Sequence, residues 1–498
     1  MIYQPTLQSL REHPIPEWYK NAKLGIFVHW GLYSVPAWAP TGYSIKDLLK
    51  KMNNGETRIY ESPYAEWYQN NIKLPGSQSR QYHEQTFGAG FAYEEFRSIF
   101  NQEIKKWDPN SWASLFKEVR AGYVVLTTKH HDGFLLWPSQ HPNPFRENFI
   151  ASRDIVGELT TAVRIQGLHM GLYYSGGLDW TFNPSSIREI ADIFVNIPQQ
   201  PAYVNYSMTH WQELIDRYQP EVLWNDIGMP IRAKVEKLFA DYYNRFPEGV
   251  VNDRFLKGLG PMMGVFKFSP LKKWLSRMMI NVLTSDVPST LERRGHCDYV
   301  TPEYTSYRDV VSRKWESTRG FGRSFGYNRN EQEADYITVP DLVHLFVDIV
   351  SKNGNLLLNV GPMPDGSIPP LQLERLKDFG KWLQMNGEAL FDTTPWTRAE
   401  GTCLDAKNEL QVRFTQKAED SYAILLGNPA GPSIRLKNLK AREGSIIRRV
   451  GEQVNLEWHQ VDDDILVILD GGGNRLPSEG NACSFSIRPQ PEALETDE

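Results

Sequence analysis

Cysteine is scarce in this chain: three residues in 498, Cys297, Cys403 and Cys483, with no CxxC spacing. That pattern excludes a disulfide framework or a thiolate zinc site as the organising device. A basic excess is also missing. A formal charge of -6 and a pI near 6.1 leave no electrostatic footprint for nucleic acid, so none is expected as a partner. No apolar run is long enough to span a bilayer, and the first residues, MIYQPTLQSLREHPIPEWYKNAK, lack a basic region followed by an apolar core. A soluble, cytoplasmic protein is the expectation. Internal repeats and low-complexity tracts are absent too.

What the chain does have is a large apolar and aromatic complement. Hydrophobic residues make up 41% and aromatic residues 12%, enough for a large core in two domains, which excludes disorder and a fibrous class. Fifteen Trp and 23 Tyr exceed ordinary packing needs. Sugar-binding clefts use such rings as platforms for C–H-rich faces.

From Leu24 onward, short apolar runs alternate with helical patterns, which is the signature of an α/β fold with a parallel sheet. Eight strands are expected, at Leu24–Trp30, Tyr123–Lys129, His169–Ser175, Glu221–Ile227, Val250–Arg254, Tyr299–Tyr304, Ser324–Asn328 and Asn355–Val360. Eight strands with intervening helices over residues 1–390 imply a (β/α)₈ barrel. Two helices are well marked: one follows Asp154 and stops at Gly167, and the other carries Leu342, Leu345, Phe346, Ile349 and Val350 between Pro340 and Gly354. From residue 391 to 498 the texture changes to short alternating runs broken by Gly, Pro and Asn, which reads as a C-terminal antiparallel β-sandwich.

In a barrel, chemistry gathers at the carboxyl ends of the strands. Those ends are unusually polar here: His29-Trp30, His130-His131-Asp132, Tyr173-Tyr174-Ser175, Trp224-Asn225-Asp226, Asn252-Asp253-Arg254 and Glu303-Tyr304. The run EVLWNDIGM, residues 221–229, would deliver Asp226 as a catalytic carboxylate, although an Asx turn that merely ends a strand fits the same letters. Three histidines raise a metal site as one reading. Against it, HxH and HExxH are absent, and His130 and His131, being adjacent, would point to opposite sides of an extended chain. Paired carboxylates among aromatics suit glycoside hydrolysis better. Asp226 is then the nucleophile, kept ionised by Arg254.

These motifs resemble the α-L-fucosidases of glycoside hydrolase family 29. The matching segments are EWYKNAKLGIFVHWGLYSVPAW, YVVLTTKHHDGFLLWPS, GLYYSGGLDW, LWNDIG, VNDR, TPEY, SFGYNRNE and NLLLNVGP, in order from Glu17 to Pro362. The resemblance implies a retaining exo-glycosidase without a cofactor or metal, acting on a fucosylated oligosaccharide or glycoconjugate, with a smaller β-sandwich behind the barrel. It places the nucleophile on Asp226 and fucose-binding groups on His29, Glu66, Trp67, His130, His131, Tyr173, Trp224 and Arg254. Phe325 falls where the family lines the pocket for the sugar's methyl group, a position at which many relatives carry Trp. The acid/base is expected at Glu303, with Glu66 next and Glu316, read as a helix residue supporting the barrel, third; any of them could instead simply pair with Arg254 or Lys129. A metal-dependent barrel hydrolase and a catalytically silent fucose-binding protein are the competing readings.

One departure stands out. Residues 256–296 form an insertion beside the expected site, where the family often has a short connection. Ser269 as N-cap and Pro270 open a helix whose Leu271, Trp274, Leu275, Met278, Val282 and Leu283 form an apolar stripe, with Lys257, Lys267, Lys272, Lys273 and Arg277 nearby. Packing on the barrel or on a second subunit is the first expectation, which leaves a homo-oligomer open. A lid over the leaving-group side comes next, and a membrane-surface helix last.

Overall fold

The computed structural model describes residues 2–257, 269–284, 295–452, 454–469 and 482–494. Seven parallel strands curl into a barrel: β1 (Leu24–Val28), β2 (Tyr123–Lys129), β3 (His169–Ser175), β4 (Val222–Asp226), β5 (Val250–Val251), β6 (Trp315–Gly320) and β7 (Gly354–Val360), in the order β5-β4-β3-β2-β1-β7-β6. The eighth stave is the irregular segment 299–303. It bridges to Asn252 beyond β5 through Tyr299 and to β6 through Val300–Trp315 and Glu303–Thr318, which closes the ring.

These strands are buried along almost their whole length, as a parallel sheet covered on both faces requires. Inside, Tyr19, Phe27, Tyr123, Val125, Tyr173, Val222, Trp224, Val250, Tyr299 and Leu357 form one cluster. Gly25 makes room for it, because a Cβ there would stand 2.3 Å from the Tyr123 ring. The outer helices form where the sequence marks them. Asp154 caps Ile155–Ile165 by accepting from Gly157 N at 2.9 Å, and Thr338 caps Val339–Ser351, which runs into β7.

The seventh expected strand, Ser324–Asn328, is instead the loop that follows β6. The real strand, WESTRG, is polar at four of its six positions, so its letters read as a helix surface, and Glu316 was misassigned to a helix with it. Glu316 lies on β6, fully buried, with its side chain among the interior tyrosines.

Helix Ser269–Thr284 of the insertion packs on Ile45–Asn53 and Ile190–Val195. Lys272 pairs with Asp192 at 2.9 Å, Ala191 N donates to Ser276 Oγ at 3.1 Å, and Asn53 donates to Asn281 at 3.1 Å. The apolar stripe does not pack as one unit. Leu275 and Ile280 are buried, while Leu271, Trp274, Met278 and Leu283 are exposed. The helix therefore rests on the barrel by one edge of its stripe. Lys267 and the side chains of Val282 and of the expected N-cap Ser269 lie outside the described residues.

The C-terminal region, from Thr394 on, is a nine-stranded antiparallel sheet built around one apolar cluster that draws on residues from Trp396 to Ile487. The sheet curls nearly closed: Trp458 on one edge strand donates to Ser445 O, next to the opposite edge, at 3.0 Å. The sheet docks on the barrel through Arg413–Asp348 at 2.7 Å and through Trp382, which donates to Ala482 O at 2.7 Å. Among the described residues no helix is long and apolar enough to cross a membrane.

Candidate active site

The two expected carboxylates meet at one guanidinium. Arg254 Nη1 lies 3.0 Å from Asp226 Oδ1 and 2.6 Å from Glu303 Oε1. Because both oxygens touch the same nitrogen, they stand at most about 5.6 Å apart, closer than the roughly 6.5–9.5 Å of an inverting pair. Burial alone would lower the Arg254 pKa, but Glu303 and Asp226 beside it hold it above its ordinary value. Arg254 is itself fixed: Nε donates to Thr301 Oγ1 at 2.8 Å and Nη2 to Thr301 O at 3.1 Å.

Asp226 ends β4 and is held on its second oxygen by Tyr173 OH at 2.9 Å. The chain then turns sharply. Ile227 adopts φ 63°, a left-handed conformation that strains a β-branched residue, and Asn225 Nδ2 braces the turn by donating to Gly228 O and Arg254 O at 2.9 and 2.8 Å. Tyr304, after Glu303, also has positive φ, 49°. The hydrogen bonds are not those of an Asx turn: Asn225 braces the chain through Gly228 O and Arg254 O, and Asp226 is held by Tyr173 and Arg254.

The histidines are neutral, and their tautomers can be assigned from their partners. Asn359 Nδ2 donates to Phe325 O at 2.6 Å, so its Oδ1 accepts from His29 Nδ1 at 2.7 Å and leaves His29 Nε2 as an acceptor. Ser175 gives its proton to Leu178 O at 2.8 Å, so its Oγ accepts from His131 Nδ1 at 2.6 Å. Burial drives His29 down to about 4 and His131 to about 3, and pushes His130 well below its usual value. His130 and His131 do not point apart as an extended chain would make them. The strand ends at Lys129, and a turn closed by Gly133 N to His130 O at 3.1 Å brings their rings to 4.0 Å.

Trp224 forms the floor. Its ring lies 4.7 Å below the Arg254 guanidinium and stacks on Tyr173 at 5.4 Å. Below it, Glu316 accepts from Trp224 Nε1 and Tyr19 OH, each at 3.0 Å, and from Tyr123 OH in a short bond. Burial raises the Glu316 pKa even against those three donors. Deep inside the barrel and beneath Trp224, Glu316 supports the site and cannot act as its acid. Sequence reasoning saw Glu316 but missed its place.

The remaining expected residues form the walls. Trp67 stands against His131 at 5.4 Å and Trp180 at 5.9 Å. Phe325 faces His29 at 5.1 Å, Tyr64 at 5.5 Å and Tyr304 at 5.6 Å. Glu66 is buried in a one-turn helix, where Oε2 accepts from Gly326 N at 2.8 Å and Ser324 Oγ at 3.2 Å. Burial pushes its pKa up to about 7, against the pull of those donors. The pairing weighed for these glutamates is real for Glu303, which does bind Arg254, whereas Lys129 pairs with Asp179 at 3.0 Å. Among the described residues no three His, Cys, Asp or Glu side chains are arranged to hold a metal ion. Asn359, Thr301 and Glu331 also line or brace the site and were not singled out, although they sit inside the quoted segments NLLLNVGP, TPEY and SFGYNRNE; Ser175 was named only as part of a polar strand end.

A family model described as "Alpha-L-fucosidase" matches residues 1–388. An alpha-L-fucosidase of Dictyostelium discoideum is 31% identical over 464 residues, 89% of this chain and 87% of that protein. The plasma alpha-L-fucosidase of Homo sapiens is 30% identical, covering 94% of this chain and 88% of its own. Among solved structures, Thermotoga maritima alpha-fucosidase in complex with a mechanism based inhibitor is 37% identical over 98% of this chain and 100% of that one, with a TM-score of 0.80. The same enzyme in complex with fucose gives a TM-score of 0.78 at 37% identity, over 97% of this chain and 100% of that one.

Proposed function

The chain belongs to the α-L-fucosidase family, and from that premise we propose that it removes terminal α-L-fucose from an oligosaccharide or glycoconjugate with retention of configuration, through a fucosyl ester on Asp226. The observation that supports the mechanism is the shared Arg254 nitrogen, which keeps the Asp226 and Glu303 carboxyl oxygens within about 5.6 Å, too close for an inverting pair. In the first step Asp226 attacks the anomeric carbon while Glu303 gives a proton to the departing glycosidic oxygen. The Glu303 carboxylate left by that transfer, beside Arg254, then takes a proton from the incoming water, whose attack on the anomeric carbon releases fucose and frees Asp226. The neutral imidazoles of His29 and His131, with Nε2 as acceptor, suit hydroxyls of a sugar.

Glu303 is preferred over Glu66 as acid/base because Glu66 spends Oε2 on Gly326 and Ser324 and shares no partner with Asp226. The test uses an aryl α-L-fucoside with azide. Asp226→Gly should lose nearly all turnover and, with azide, release β-fucosyl azide. Glu303→Ala should be restored by azide to give α-fucosyl azide. If Glu66→Ala gives the α-azide and Glu303→Ala does not, the assignment passes to Glu66; if Asp226→Gly remains active without azide, the mechanism fails.

A further inference from the structure

Besides its ring contacts, Phe325 is held in the site through the backbone on either side of it. The turn from Gly322 to Gly326 follows β6, and its N–H groups are taken up by two buried glutamates on either side of Phe325. Glu331 Oε1 accepts from Arg323 N at 2.6 Å and from Ser324 N at 2.9 Å. Glu66 Oε2 accepts from Gly326 N at 2.8 Å and from Ser324 Oγ at 3.2 Å, and Ser324 Oγ in turn accepts from Ala65 N at 2.9 Å. The Phe325 carbonyl is tied to Asn359, and through it to His29. The fit is tight: a Cβ on Gly322 would lie 2.4 Å from Glu331 Oε2. Glu331 itself is only 8% exposed.

The wall that this turn presents differs from the rest of the site. Trp224 carries the Arg254 guanidinium on its face, and Trp67 stands against His131. Phe325 offers ring carbon alone, 6.4 Å from Phe27. L-Fucose is the 6-deoxy form of L-galactose, so its methyl group is the one substituent that prefers such a surface, and the extra hydroxyl of L-galactose would face it without a partner.

We propose that Glu331, which does not touch the sugar, is a positioning residue for sugar specificity: by accepting the consecutive N–H groups of Arg323 and Ser324 it fixes the turn that sets Phe325 against the methyl group of a 6-deoxysugar. The proposal rests on the fucosidase reading. Removing the acceptor strands two N–H groups beside a buried turn, and the turn shifts to recover partners. The consequence is a loss of discrimination before a loss of chemistry.

The test is the ratio of kcat/KM for 4-nitrophenyl α-L-fucoside over 4-nitrophenyl α-L-galactoside. An apolar wall rejects an added hydroxyl by roughly 100-fold, which sets the wild-type ratio. Phe325→Ala gives the ratio with the wall removed. Glu331→Leu is expected to lower the ratio at least tenfold, toward that of Phe325→Ala. Glu331→Gln, which keeps an acceptor oxygen, is expected to restore most of it. Should the Leu variant not fold, Glu331→Asp, whose carboxyl is withdrawn by one methylene, decides by the same criterion, and Asp combined with Phe325→Ala should add nothing to Phe325→Ala alone. A folded Leu or Asp variant that melts earlier yet keeps the wild-type ratio within twofold overturns the proposal, since support of the fold alone predicts that result. A wild-type enzyme that cleaves neither glycoside overturns the fucosidase reading instead.

Discussion

Replacing Arg254 by Met is the sharpest probe of the catalytic arrangement, because one side chain neutralises both carboxylates. In the wild type Asp226 and Glu303 lie 3.0 and 2.6 Å from the same Nη1. Without it, two ionised carboxylates at most about 5.6 Å apart repel by about 3 kcal/mol or more at an effective dielectric near 20. Both side chains retain some exposure, 12% for Asp226 and 34% for Glu303, so solvent screening reduces that figure to about 2–3 kcal/mol. Both groups are anionic around the second step, so the expected loss is in kcat for a substrate with a good leaving group, roughly 30- to 150-fold. Arg254→Lys keeps the charge but not the fork that also binds Thr301, so it should fall between Met and wild type. The assay is steady-state hydrolysis of two aryl α-L-fucosides, one with a good and one with a poor leaving group, because Arg254 serves both halves of the reaction and both substrates should suffer. A Met variant within fivefold of wild type on both would refute the shared-clamp reasoning.

Two further outcomes follow from buried acids. Glu316→Ala should lower the melting temperature by several degrees and reduce kcat, since it leaves Tyr19, Tyr123 and Trp224 with unpaired buried donors at about 1–3 kcal/mol each; an unchanged melting curve would show that Glu316 does not hold the floor. The two raised acids should also leave a pH signature. Glu66 and Glu331 are raised by burial to about 7 and about 8, so the folded chain holds protons there that the unfolded chain has already released, and each rise in pH costs stability until both have ionised. His29, His131 and His210, lowered by burial to about 4, 3 and 3, act oppositely up to about one unit above the unfolded histidine value near 6.5, and Lys23, lowered by burial to about 8, acts oppositely at the upper end, so the acid contribution is read against a variant that lacks one acid. In calorimetric melting from about pH 6.5 to 8 the wild type should lose stability relative to Glu331→Gln; a difference that stays constant or moves the other way would contradict the sign.

The sequence made the barrel legible where burial is uniform. VVLTTK and LLLNV can only be interior strands, and their polar ends announce the site because a parallel strand has no other reason to finish on His, Asp or Arg. The same logic failed at β6. WESTRG points Glu316 into the barrel, and a glutamate in that position looks like a solvent-facing residue unless its donors are known, which lie 92 to 297 positions away in the chain on Trp224, Tyr123 and Tyr19. Glu331 was hidden for a related reason: its partners are backbone N–H groups, which leave no mark on sequence. The insertion helix shows the converse, a stripe visible in sequence whose packing edge could not be chosen, since apolar spacing gives the arc of a helix but not the neighbour it meets. Local pattern therefore identifies groups that touch a sugar, because those cluster at strand ends. Groups that hold them in place are chosen by distant contacts, and in this protein they are the buried acids, whose letters mimic surface.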